Sequence, residues 1–61
     1  MDIKIFKNSS ATTIEDRIKK YIGNRKDYKI LMNSVFFRDK YNHPSVEYIA
    51  TVILDKKYEK N

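Results

Sequence analysis

The one histidine of the chain, His43, lies in the stretch DKYNHPS and is the first residue to weigh for proton-transfer chemistry. A general acid or base needs a nucleophile or a second titratable group within hydrogen-bond reach. No Ser, Cys or acidic residue stands at a spacing from His43 that reads as such a pair, and Asp39 and Lys40 read as ordinary loop charges. His43 is therefore expected as a solvent-facing loop residue. The chain has no Cys, which excludes disulfides and thiolate zinc sites. One His without clustered carboxylates offers no metal-ligand set. There is a single glycine, Gly23, so no glycine-rich phosphate loop, and neither a nucleophile elbow nor a paired-carboxylate arrangement occurs. The expectation is no enzyme and no cofactor.

Recognition chemistry is better represented. Thirteen Lys and Arg against eight Asp and Glu leave a net charge of +5, which favours solubility and attraction to polyanions. Lys19, Lys20, Arg25 and Lys26, with Tyr21 and Tyr28 nearby, form a basic and aromatic group suited to phosphate contacts and base stacking. Lysines are equally what a helix C-terminus and an edge strand carry. No helix-turn-helix, zinc-finger or RNP-type signature accompanies them. Nucleic-acid binding is thus the alternative reading, and a solvated charged face the simpler one. A second group, Arg38, Lys40 and Tyr41, contains residue types enriched at binding hot spots and reads as a partner-facing tip.

Four elements must position these residues. MDIKIFK alternates, with Met1, Ile3 and Ile5 on one side and Asp2, Lys4 and Phe6 on the other; bounded by the polar NSSATT, it reads as a strand. TIEDRIKKYI then places Ile14, Ile18, Tyr21 and Ile22 on one helical stripe. Thr12 with Glu15, or Thr13 with Asp16, fits a capping box, with acids in the first turn and lysines in the last. Gly23 fits a left-handed C-terminal cap. Residues 28–38, YKILMNSVFFR, and 46–55, VEYIATVILD, read as strands joined by a loop over 39–45. A strand–helix–strand crossover leaves its strands parallel, and a hairpin is antiparallel. The expected architecture is α+β: β-α-β-β, a three-stranded mixed sheet in the order 1-3-2 with one helix on one face. Residues 1–55 form the domain and 56–61 a basic C-terminal tail.

One helix shelters one side of a sheet, so the other side should alternate to polar. Strands 2 and 3 do not comply. Val46, Tyr48, Ala50, Val52 and Leu54 share one face of the last strand while Ile49 and Ile53 hold the other; Ile30, Met32 and Phe36 oppose Leu31, Val35 and Phe37. A domain of 61 residues is marginal by size, and covering four such side chains is worth several kcal/mol at ~25 cal/mol per Å². A contiguous exposed patch of this size usually marks an interface. Leu31, Val35, Phe37, Ile49 and Ile53 are therefore the expected oligomer interface, with a second copy as the simplest occupant.

Asp2, Lys4 and Lys7 interrupt the opening apolar residues, so a signal peptide is not expected, and no apolar run reaches the ~20 residues of a bilayer span. A cytoplasmic protein with no membrane partner is the expectation. IKIF at 3–6, IEDRIKKYI at 14–22 and EYIATVILDKK at 47–57 resemble the small sporulation-associated proteins of Firmicutes and their phage-encoded relatives. Those are described by an IK-x-F strand, an L/I-E-x-x-I-N-x-F/Y-L/I helix and a tyrosine-bearing final strand. Lys19 stands where that pattern has Asn. The resemblance implies the fold and no particular chemistry. Dodecins share the element order, but YKILMN lacks the tryptophan that would stack on flavin. Richness in Lys, Ile, Asn and Tyr, whose codons are A/T-rich, suits a low-GC Gram-positive bacterium or its phage. The expected function is a non-enzymatic, homodimeric protein-binding module, of the kind phages use to inhibit a host or anti-phage defence protein. A nucleic-acid-binding accessory protein and a sporulation-associated structural protein are the alternatives.

Overall fold

Alternation makes the opening residues a strand, β1 (Asp2–Asn8), which leads into helix α1 (Ala11–Ile22) and the hairpin β2 (Tyr28–Arg38) and β3 (Pro44–Leu54). A 3₁₀ turn over Lys56–Tyr58 follows. The computed structural model describes residues 1–59; the last two positions of the expected tail, 60 and 61, lie outside the described residues. The sheet order is β1-β3-β2, as the sequence predicts. Both ladders are antiparallel. β1 and β2 do run in the same direction, but β3 separates them, so the sheet is antiparallel throughout rather than mixed.

Helix α1 starts two residues earlier than a cap at Thr12 predicts, and three earlier than one at Thr13. Ser10 is its N-cap, in extended conformation, and its hydroxyl accepts from the Thr13 N–H at 3.3 Å. Ser10 is itself held by its own N–H donating to Asn8 Oδ1 at 2.8 Å, so the polar turn after β1 fixes the cap. With the start at Ala11, position three of the helix is Thr13 and no capping box forms. Glu15 and Asp16 then fall beyond the first turn, while Lys19 and Lys20 do occupy the last. Ile14 and Ile18 are buried and Ile22 half-buried, as the stripe requires. Tyr21 packs edge-on to Phe6 of β1, ring centroids 5.8 Å apart.

Gly23 ends the helix with φ 55° and ψ −122°, positive φ but outside the left-handed helical region. It is the first central residue of a tight turn closed by the Arg25 N–H to the Ile22 carbonyl at 2.9 Å, a conformation nearly reserved for glycine. The β2–β3 loop is also tighter than 39–45. Pro44 and Ser45 join β3 opposite Arg38 and Phe37, and proline is tolerated at the first position of a strand. Asp39 Oδ1 accepts from the Tyr41 and His43 N–H groups at 2.8 and 2.9 Å, and Asn42 takes φ 64°.

Register assigns the faces. Even-numbered residues of all three strands point toward the helix and odd-numbered ones away. The buried core is Ile14, Ile18, Ala50, Val52 and Leu54, with Phe6, Ile22, Tyr28 and Tyr48 packed around it. β1 pairs only with Tyr48–Leu54, so Val35–Arg38 and Pro44–Glu47 continue beyond it as a two-stranded arm. The molecule measures 49 × 17 × 16 Å with a radius of gyration of 14.0 Å, against about 10.5 Å for a compact chain of this length. The start of the tail is folded: Asp55 caps the 3₁₀ turn through the Lys57 N–H at 3.1 Å, and the Tyr58 ring lies 5.8 Å from Lys29 Nζ of β2.

The cap assignment is testable. Ser10→Ala should destabilise the fold by about 1 kcal/mol, whereas Thr12→Ala should change stability by less than about 0.5 kcal/mol, both read from urea unfolding midpoints. Equal costs would return the cap to Thr12.

Candidate interaction surface

The strand register places the five expected interface residues together. Leu31, Val35 and Phe37 of β2 and Ile49 and Ile53 of β3 all lie on the face away from the helix. β1 enlarges that face, because its apolar side, Ile3 and Ile5, also points away from the helix while Asp2, Lys4 and Phe6 point toward it. The β1 alternation was legible in sequence; its side was not, since an antiparallel register with β3 decides it. Ile3–Ile53–Lys29 and Ile5–Thr51–Leu31 form rows across the sheet, and Lys7–Ile49–Asn33 the next. Ile3, Ile5, Leu31, Val35 and Phe37 are each 44–56% exposed. Side chains on one face of adjacent strands lie about 5 Å apart, so these apolar residues are near neighbours on the face, with Lys7, Lys29, Asn33 and Thr51 interspersed among them.

The helix side is only partly covered. α1 lies over β1 and β3, leaving Ile30, Met32 and Phe36 of β2 exposed there, Phe36 at 81%. Between helix and β2 runs an apolar groove of about 250 Å³ lined by Glu15, Ile18, Lys19, Ile22, Tyr28, Ile30 and Met32. Sequence reasoning assigned Ile30 and Met32 to one face of β2 without detecting this groove, because helix placement across the sheet is not encoded in periodicity.

The basic candidates separate into two groups. Lys19, Lys20, Arg25 and Lys26 lie at the end of the helix and the turn after it, near Tyr28; Arg38, Lys40 and Tyr41 lie at the hairpin tip. Ten strand steps at ~3.4 Å, or about 34 Å, separate Tyr28 from Arg38, so one molecule does not bring the groups together. At the tip, Arg38 Nη1 donates to the Asn42 carbonyl at 3.0 Å, Lys40 Nζ lies 5.1 Å from the Tyr41 ring, and Tyr41 is 68% exposed. His43 is exposed, with Nδ1 3.9 Å from Asp39 Oδ2. Among the described residues, no three His, Asp or Glu side chains converge as metal ligands, and no helix is long and apolar enough to cross a membrane.

Arg25 is already engaged. Its Nε and Nη2 donate to Asp27 Oδ1 and Oδ2 at 2.9 and 2.7 Å, a bidentate pair at the rim of a polar cleft formed with Met1, Asp2, Asp55 and Lys56. Those hydrogen bonds hold the Asp27 carboxyl down at about 2, against its ordinary 3.8, and the same pairing raises Arg25. Asp27 also supplies the carbonyl that accepts the Asp55 N–H at 2.9 Å, so it ties the start of β2 to the end of β3.

The chain matches no protein-family model, no curated protein and no solved structure.

Because folding lowers the Asp27 pKa, the pair contributes fully above its unfolded value of 3.8 and is lost as pH falls through about 2. Wild type should therefore exceed Asp27→Asn in urea midpoint at neutral pH, with the gap closing between these two values. A gap unchanged at pH ~2 would remove the ion pair as its cause.

Proposed function

We propose that the protein is a non-enzymatic, homo-oligomeric protein-binding module whose outer sheet face is its contact surface. The observation that carries this reading is that face: Ile3, Ile5, Leu31, Val35, Phe37, Ile49 and Ile53 on one side of a single sheet. Monomeric proteins rarely leave contiguous apolar patches larger than a few hundred Å² in water. A second copy is the simplest occupant, because two sheets packing face to face bury both patches in a sandwich with the helices outside. Arg38, Lys40 and Tyr41 at the end of the arm then remain free to meet a target protein. A surface of this kind acts by occupancy, and inhibition of a host or anti-phage defence protein is the use we assign to it.

Light scattering at ~50 μM is expected to give a mass of at least twice the 7.3 kDa of one chain. Ile5→Glu with Ile49→Glu, both remote from the helix-side core, should lower that mass by half or more with the circular dichroism spectrum retained. A wild-type mass of 7.3 kDa, or a mass unmoved by the double variant, would overturn the reading.

A further inference from the structure

β2 is exposed along nearly its whole length on both faces, and one of its edges is unpaired. The two edges of the sheet are not alike. β1, the other edge, carries Lys4 and Lys7 within seven residues, the usual protection of an exposed strand against pairing. On β2 the eight residues Ile30–Phe37, ILMNSVFF, carry no charge at all. An edge so long, apolar and unguarded is a ready template for pairing with another chain.

The strand is complementary to itself. Run antiparallel to a second β2 about Asn33, it sets Ile30 opposite Phe36, Leu31 opposite Val35 and Met32 opposite Ser34, each pair on one face. Ile30 and Phe36 are on the helix side, where the groove between α1 and β2 is open. Phe36, the most exposed large apolar side chain among the described residues, thereby reaches the mouth of the second copy's groove beside Ile18, Ile22 and Ile30. The same pairing lays the arm of each molecule along the other's three-stranded body. A two-stranded hairpin has little stability of its own in water, so the contact supplies the arm with the neighbour it lacks.

We propose that two copies join through their β2 edges, antiparallel and centred on Asn33, into a six-stranded sheet in which Phe36 of each enters the α1/β2 groove of the other. This contact uses a different surface from the outer face and stands independently of the function proposed above. It also brings the hairpin tip of one copy, with Arg38 and Lys40, next to the basic helix end of the other, merging groups that lie at opposite ends of a single molecule.

The chain has no native cysteine, which permits a clean crosslinking test on the helix side, away from the outer face. Directly opposed residues have Cα atoms about 4.5–5.5 Å apart, within disulfide reach; diagonal ones, at about 7–8 Å, are not. Met32→Cys and Ser34→Cys chains are unfolded and refolded together at a 1:1 ratio, then oxidised. The mixture should give disulfide-linked pairs containing up to roughly half the chains, the statistical share of mixed two-fold dimers, while each variant alone gives only background. No crosslinking in the mixture would overturn the edge contact, as would equal crosslinking in a single variant. Phe36→Ser, at an exposed position outside the buried core, should halve the mass seen by light scattering with the circular dichroism spectrum retained; an unchanged mass counts against the proposal. If the edge contact fails while Ile5→Glu with Ile49→Glu still lowers the mass, the outer-face contact survives alone. If the crosslink forms while that double variant changes nothing, the outer-face reading fails and the edge contact stands.

Discussion

A mismatch of dimensions governs this molecule. Twelve helical residues span about 18 Å, while the eleven residues of β2 and β3 span about 34 Å between their first and last Cα atoms. The helix rests on β1 and the adjoining half of β3, and there Ile14, Ile18, Ala50, Val52 and Leu54 form the only buried core among the described residues. The rest of the sheet has no layer above it. Hydrophobic burial is therefore concentrated at one end of a 49 Å particle, and the arm is held by its ladder and by cross-strand contacts alone.

Polar detail is spent where the chain must turn. Ser10 and Asn8 set the helix entry, Gly23 the exit, Asp39 the hairpin, and Asp27 with Arg25 the junction of β2 with the end of β3. At the helix entry and the hairpin the side chains of Asn8, Ser10 and Asp39 satisfy local backbone N–H groups, whereas Arg25 and Asp27 pair side chain to side chain. None serves the apolar faces, whose composition is free of such constraints.

The contrast between the two sheet edges extends this logic to assembly. Lys4 and Lys7 make pairing at β1 costly, and the absence of charge from Ile30 to Phe37 leaves β2 open to it. Together with the outer face, this leaves the protein two distinct apolar surfaces without a partner layer among the described residues. Both draw on β2, which contributes alternate residues to each side. The basic side chains sit elsewhere, at the helix end and the hairpin tip.

Period and punctuation in the sequence were enough to determine the element order, the residues of β2, the helical stripe and the β1-β3-β2 order, because these follow from alternation, a capping glycine and the chirality of crossovers. They also grouped Leu31, Val35, Phe37, Ile49 and Ile53, since a period of two separates faces without coordinates. Which face meets the helix was left open, because both faces of β2 and β3 are apolar and periodicity is blind to that choice. The antiparallel register with β1 decided it, turning Ile3 and Ile5 outward and Phe6 inward. The groove beside Ile30 likewise depended on tertiary structure, because it arises where helix and sheet meet and neither alone specifies the meeting. The cap at Ser10 and the short hairpin are local, set by Asn8 and Asp39 among several polar residues of which any could have capped or turned the chain.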